Sequence, residues 1–118
     1  MSYQHKSLAD GRWFEFTFPE QMANLGSEVL RAISWKNKNN FVYSQKAFER
    51  SLELLWLTIA DQKNKKRLRE LTRLYEVLAD YFAFDNLYGS TDKSWQNYFL
   101  GFNYLARLKI AQNAKRKA

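Results

Sequence analysis

Residues 44–73 read SQKAFERSLELLWLTIADQKNKKRLRELTR, and they join the most apolar part of the chain to its most basic part. At 100° per residue Phe48, Leu52, Leu55 and Ile59 fall on one helical face, so the first half predicts a core helix over about residues 41–60. Leu54 and Leu57 point roughly the other way, with Trp56 between them in sequence. A helix apolar on both sides is either the most enclosed of its bundle or uses its back face against another subunit. Four helices in one layer enclose a member poorly, so Leu54, Trp56 and Leu57 are expected at a contact between copies. The second half is charged: Lys63, Lys65, Lys66, Arg67, Arg69 and Arg73 face a single acid, Glu70.

Working outward, the pattern continues on both sides. Thr17 can cap a helix, Pro19 fits its first turn, and Glu20 stands three residues after the cap, as a capping box requires. Met22, Leu25, Val29, Ala32 and Ile33 then recur at steps of three and four, predicting a helix over about 19–37 that ends in the turn Asn37, Lys38, Asn39, Asn40. Gly26 inside this stripe costs about 1 kcal/mol relative to alanine, so a close helix contact is expected there. Leu68, Leu71, Leu74, Tyr75, Leu78, Tyr81 and Phe82 mark a third helix over about 64–84. The loop DNLYGSTD supplies a turn and a cap, and Trp95, Phe99, Phe102, Leu105 and Ala106 mark a fourth over about 92–111.

Upstream, Phe14, Phe16 and Phe18 alternate with polar residues. They predict an extended segment over 1–17 whose aromatics cover one end of the bundle, or else an edge strand offered to a partner. Residues 112–118 lack apolar periodicity and read as a frayed helix end or mobile basic tail. The whole is expected to be one all-α domain of 118 residues, an antiparallel up-and-down four-helix bundle.

The net charge of +7 is concentrated. The segment 63–73 carries a net +5, and Arg107, Lys109, Lys115, Arg116 and Lys117 give 107–118 another +5, leaving the rest of the chain at −3. In an alternating bundle the start of the third helix and the end of the fourth share one end, so these runs make one candidate polyanion surface. Cations at a helix start oppose the macrodipole, unless an anion sits there and uses the free amides as well. A solvated charged face is the competing reading. Lys63, Lys65, Lys66, Arg67, Arg69, Arg73, Lys109, Lys115, Arg116 and Lys117 are thus the candidate nucleic-acid contacts.

Other chemistry is not signalled. The chain has no cysteine and a single histidine, His5, so neither a thiolate metal site nor a histidine-based triad is indicated. Glu49 and Glu53 lie one turn apart without the Glu-x-x-His motifs of a di-metal bundle, and read as a salt-bridged surface pair. No glycine-rich phosphate loop is present. No catalytic residue, metal or cofactor is expected, and neither a signal peptide nor a membrane span is read, which points to the cytoplasm.

The stretches GRW at 11–13, EQMANLGSEVLRAISWKNKNN at 20–40, SQKAFERSLELLWLTIAD at 44–61, KNKKRLREL at 63–71 and STDKSWQNYF at 90–99 resemble a family of short bacterial proteins associated with diversity-generating retroelements. There, such frames accompany a reverse transcriptase and the accessory variability determinant, a basic four-helix-bundle protein that oligomerises and binds reverse transcriptase and template RNA. The chain is similar to that determinant in size, charge and expected architecture, and no residue role is carried across. The resemblance implies a non-enzymatic accessory subunit that holds RNA, or an RNA/DNA hybrid, against the polymerase. The alternative is a helical adaptor that docks protein through its apolar back faces.

Overall fold

The capping signal at Thr17 is used in both directions. Its hydroxyl accepts from the Glu20 amide at 3.3 Å, and the Glu20 carboxylate accepts from the Thr17 amide at 2.9 Å. The computed structural model describes residues 11–117, excepting the side chains of 109, 110 and 113–117. From this cap α1 (Phe18–Asn37) runs to a three-residue turn in which Asn39 takes a φ of 60°, a left-handed conformation that asparagine tolerates better than most residues. The Asn40 side chain caps α2 (Phe41–Ala60) by accepting from the Tyr43 amide at 3.1 Å. A 3-10 segment, Gln62–Arg67, leads into α3 (Leu68–Ala83), and a loop over 84–91 leads into α4 (Asp92–Lys117).

The four helices form the antiparallel up-and-down bundle. α1 packs against α2 on one side and α4 on the other, while α3 packs against α2. The end of α1, the end of α3 and the start of α4 meet at one pole, where Lys36 Nζ donates to Tyr81 Oη at 2.8 Å and to Asp92 Oδ1 at 3.2 Å. At the opposite pole the Arg67 guanidinium lies 4.2 Å from the centroid of the Phe18 ring, and Phe102 of α4 meets Phe18 edge-on. Between the poles Leu25, Val29, Leu55, Leu71, Leu78 and Phe99 belong to a single buried cluster. Gly26 has its close contact: a Cβ there would stand 2.6–2.8 Å from Phe99 atoms.

Four local expectations need correction. Residues 12–15 form a turn of 3-10 helix rather than an extended lead-in or strand, and Phe18 already belongs to α1. Trp13 nevertheless plugs the end of the bundle at 1% exposure; residues 1–10 lie outside the described part. The third α-helix begins at Leu68, the first residue of its apolar stripe and four residues later than the expected start at 64, because Asn64 turns inward and the backbone tightens into a 3-10 segment. Leu54 and Leu57 are 3% and 5% exposed within the chain's own core, since Trp13 and α3 close over the far side of α2. Of the three expected interface residues only Trp56 faces outward. Finally, α4 continues as helix to Lys117, past its expected end at 111, which agrees with the helix-end reading of 112–117; lysine, arginine, alanine and glutamine favour helix without any apolar stripe.

The Lys36 pole carries a pH dependence. Burial alone would raise the Asp92 carboxyl, but hydrogen bonds from Tyr81, Asn37 and Lys36 outweigh it and hold the group below its usual value. Asp61, at the other pole, is likewise raised by burial and lowered further by Lys63 and Gln21. Carboxyls depressed in the folded state stabilise it above their unfolded pKa and lose that contribution as pH falls through the folded value. The urea midpoint is therefore expected to drop on acidification below about pH 4, and less steeply in Asp92→Asn. Equal slopes in the variant and the parent would remove Asp92 from the account.

Candidate functional site

The connector between α2 and α3 is held from beneath by buried polar bonds. Gln21, fully buried on α1, donates through Nε2 to Asp61 Oδ2 at 2.8 Å and to the Trp13 carbonyl at 3.1 Å. Its Oε1 accepts from Asn64 Nδ2 at 2.8 Å, and the same amide reaches the Thr58 carbonyl at 3.0 Å. Trp13 Nε1 donates to Thr58 Oγ1 at 3.0 Å. Asn64 is thus turned wholly inward, and its neighbours in the short 3-10 repeat are turned out. Periodicity points to none of these groups, because a polar residue at a buried position looks like a loop residue until its partner is known.

The six bases of 63–73 are not equivalent. Lys63 is committed to the fold: its ammonium pairs with Asp61 and donates to the Phe14 carbonyl at 3.1 Å. Arg67 lies over Phe18, and Arg73 lies 5.1 Å from the centroid of the Tyr88 ring. Lys65, Lys66 and Arg69 are exposed, and among the described residues no hydrogen bond or ion pair engages their side chains. The helix-start argument also changes. The Leu68 amide is taken by the Lys65 carbonyl, so the 3-10 segment consumes part of the amide array that an anion would use. Any attraction here belongs mainly to the side chains.

The topology brings the second basic run to the same pole. Phe102 sits beside Phe18, the first residue of α1, and α4 runs on to Lys117, about 22 Å further at 1.5 Å per residue. That stretch carries exposed Arg107 and positions 109 and 115–117 past the end of the bundle. The side chains of Lys109, Lys115, Arg116 and Lys117 themselves lie outside the described residues.

Three other features were not singled out by sequence. A groove of about 330 Å³ between α3 and α4 is floored by Leu74, Val77, Trp95 and Tyr98 and edged by Glu70 and Arg73. Burial, and then the charge and hydrogen bond of Glu70, push the Tyr98 phenol far above its usual pKa. The outward side of α4 exposes Leu100, Tyr104 and Leu108, together with Leu105, which its spacing had placed in the apolar stripe of that helix. Asp80, buried at the end of α3, accepts from the Leu87 and Tyr88 amides at 2.8 and 3.0 Å and so shapes the loop into α4.

Among the described residues no group of three His, Cys, Asp or Glu side chains is placed to hold a metal ion, and no helix is long and apolar enough to cross a membrane. Glu49 accepts from Gln45 at 3.3 Å. No protein-family model, curated protein or solved structure matches the chain.

Proposed function

We propose that this chain is a non-catalytic, RNA-binding accessory subunit of a retroelement reverse-transcriptase complex, cytoplasmic and oligomeric, that engages RNA or an RNA/DNA hybrid at the connector pole. The observation that carries the nucleic-acid reading is the rigid seating of the connector. Gln21 and Asn64 fix its backbone from within, while Lys65, Lys66 and Arg69 stand outside without an internal partner. Bases held apart from carboxylates on one end of a molecule are suited to neutralising phosphates. The assignment to reverse transcriptase rests on the family resemblance of the sequence.

Reversing Lys65, Lys66 and Arg69 together to glutamate is expected to leave the fold intact and abolish micromolar binding of a labelled structured RNA. At intermediate salt, where residual binding is measurable, losing three phosphate contacts should flatten the slope of log K against log salt by about 2. Unchanged affinity in the folded variant sinks the reading. The adaptor alternative is favoured by the exposed row Leu100, Tyr104, Leu105 and Leu108 on α4. It predicts capture of the polymerase that survives the charge reversal and fails when Tyr104 and Leu108 become serine.

A further inference from the structure

We infer that the outer face shared by α2 and α3 receives unpaired bases, with Trp56 as the stacking platform, so that the bound nucleic acid is single-stranded where it crosses that face. The inference rests on the nucleic-acid reading above and narrows it to a strand class.

Trp56 is 55% exposed, against 1% for Trp13 and 4% for Trp95. An indole is among the largest apolar payloads a side chain carries, and leaving over half of it in water forgoes burial that Trp13 and Trp95 obtain. Its one aromatic neighbour among the described residues, Tyr75, lies 6.5 Å away with the ring planes at 62°, an edge-on contact that occupies at most one indole face. Tyr75 is itself 37% exposed. The pair is braced and still open.

Charge surrounds this pair unevenly. Leu68, Thr72 and Tyr75 recur at i, i+4 and i+7, so they line one side of α3, and all three are exposed. That line leads from Trp56, about 6 Å of helix rise above the end of α2, down to the connector with Lys65, Lys66 and Arg69. In the other direction α2 carries Glu49 and Glu53. A polyphosphate chain over Trp56 is attracted on the connector side and repelled on the other, which fixes the way it leaves the platform. A duplex meets the phosphate requirement but keeps its base faces stacked inside, whereas a single strand supplies both phosphate and an open base. A second protein would satisfy the aromatic pair without needing the bases below it.

The test uses the full chain, a fluorescein-labelled oligouridylate and an RNA duplex of the same length. Wild type is expected to bind the single strand more tightly, with quenching of its tryptophan emission. Trp56→Ala should weaken that binding about tenfold, as loss of one stacked base implies, leave duplex binding unchanged, and be largely rescued by Trp56→Phe. Equal single-strand affinity in Trp56→Ala and wild type, with binding still lost on reversing Lys65 and Arg69, overturns the stacking platform and leaves the nucleic-acid reading standing. Binding of neither RNA by wild type overturns both. A fall in light-scattering mass from oligomer to monomer in Trp56→Ala identifies a subunit contact and also overturns the platform.

Discussion

Trp13→Ala is expected to cost about 3 to 5 kcal/mol of folding stability, the range for emptying the space of a large buried aromatic. Small domains hold about 5–15 kcal/mol in total, so the variant should be close to unfolding at ambient temperature. The reason is position as much as size. The ring is 1% exposed, meets Phe16 edge-on, and belongs to the same buried cluster as Leu54 and Leu57 of α2. Its N–H also serves Thr58, whose hydroxyl donates in turn to the Leu54 carbonyl at 2.8 Å. Trp13→Phe separates the two contributions. It removes the donor together with its bond and leaves a smaller gap, so it should cost about 2 kcal/mol, about half of it from the lost hydrogen bond. Chemical denaturation followed by circular dichroism measures both, and a midpoint unchanged in Trp13→Ala would mean that the 3-10 turn at Arg12–Glu15 lies outside the cooperative unit.

The second large effect is at Gly26, where the sign is informative. Helix propensity alone says that Gly26→Ala gains about 1 kcal/mol. The added methyl would fall 2.6–2.8 Å from Cγ, Cδ1 and Cβ of Phe99. That ring has nowhere to go: it is fully buried, with Trp95 stacked on one side and Tyr98 edge-on at 5.0 Å. Overpacking of this kind costs about 1–3 kcal/mol, and contact with the base of a side chain belongs at the upper end, so a net loss of about 2 kcal/mol is expected. Introducing Gly26→Ala into a Phe99→Ala background should instead cost clearly less, because the ring atoms at 2.6 and 2.7 Å are gone and only the retained Cβ at 2.8 Å has to give way. Additive behaviour of the two changes would refute the close contact between α1 and α4.

Much of the architecture could be read before any coordinates, for a definite reason. α1 and α2 carry apolar stripes bounded by real caps, Thr17 with Glu20 and Asn40 with Tyr43, and their observed ends fall within a residue of the expected ones. Gly26 was legible too, since a glycine inside an amphipathic stripe has few uses besides close approach. The failures share a cause. Whether Leu54 and Leu57 face a partner or the chain's own core depends on what covers α2, and the cover comes from Trp13, more than 40 residues away in sequence. The late start of α3 depends on Asn64 finding Gln21, a pairing that no local pattern announces. The candidate site was located by charge alone; its division into structural Lys63, ring-covering Arg67 and Arg73, and outward Lys65, Lys66 and Arg69 required the fold.

The buried bonds around Gln21 bear on a choice that hydrophobic burial barely makes. Four amphipathic helices with short links can wind around their common axis in either sense, and both windings hide nearly the same apolar area. Only one sets the inward side of the connector against Gln21. In the other, Gln21 and Asn64 would be buried without each other, at about 1–3 kcal/mol for each unsatisfied group. The side chains that seat the connector are thereby expected to help select the winding of the bundle as well.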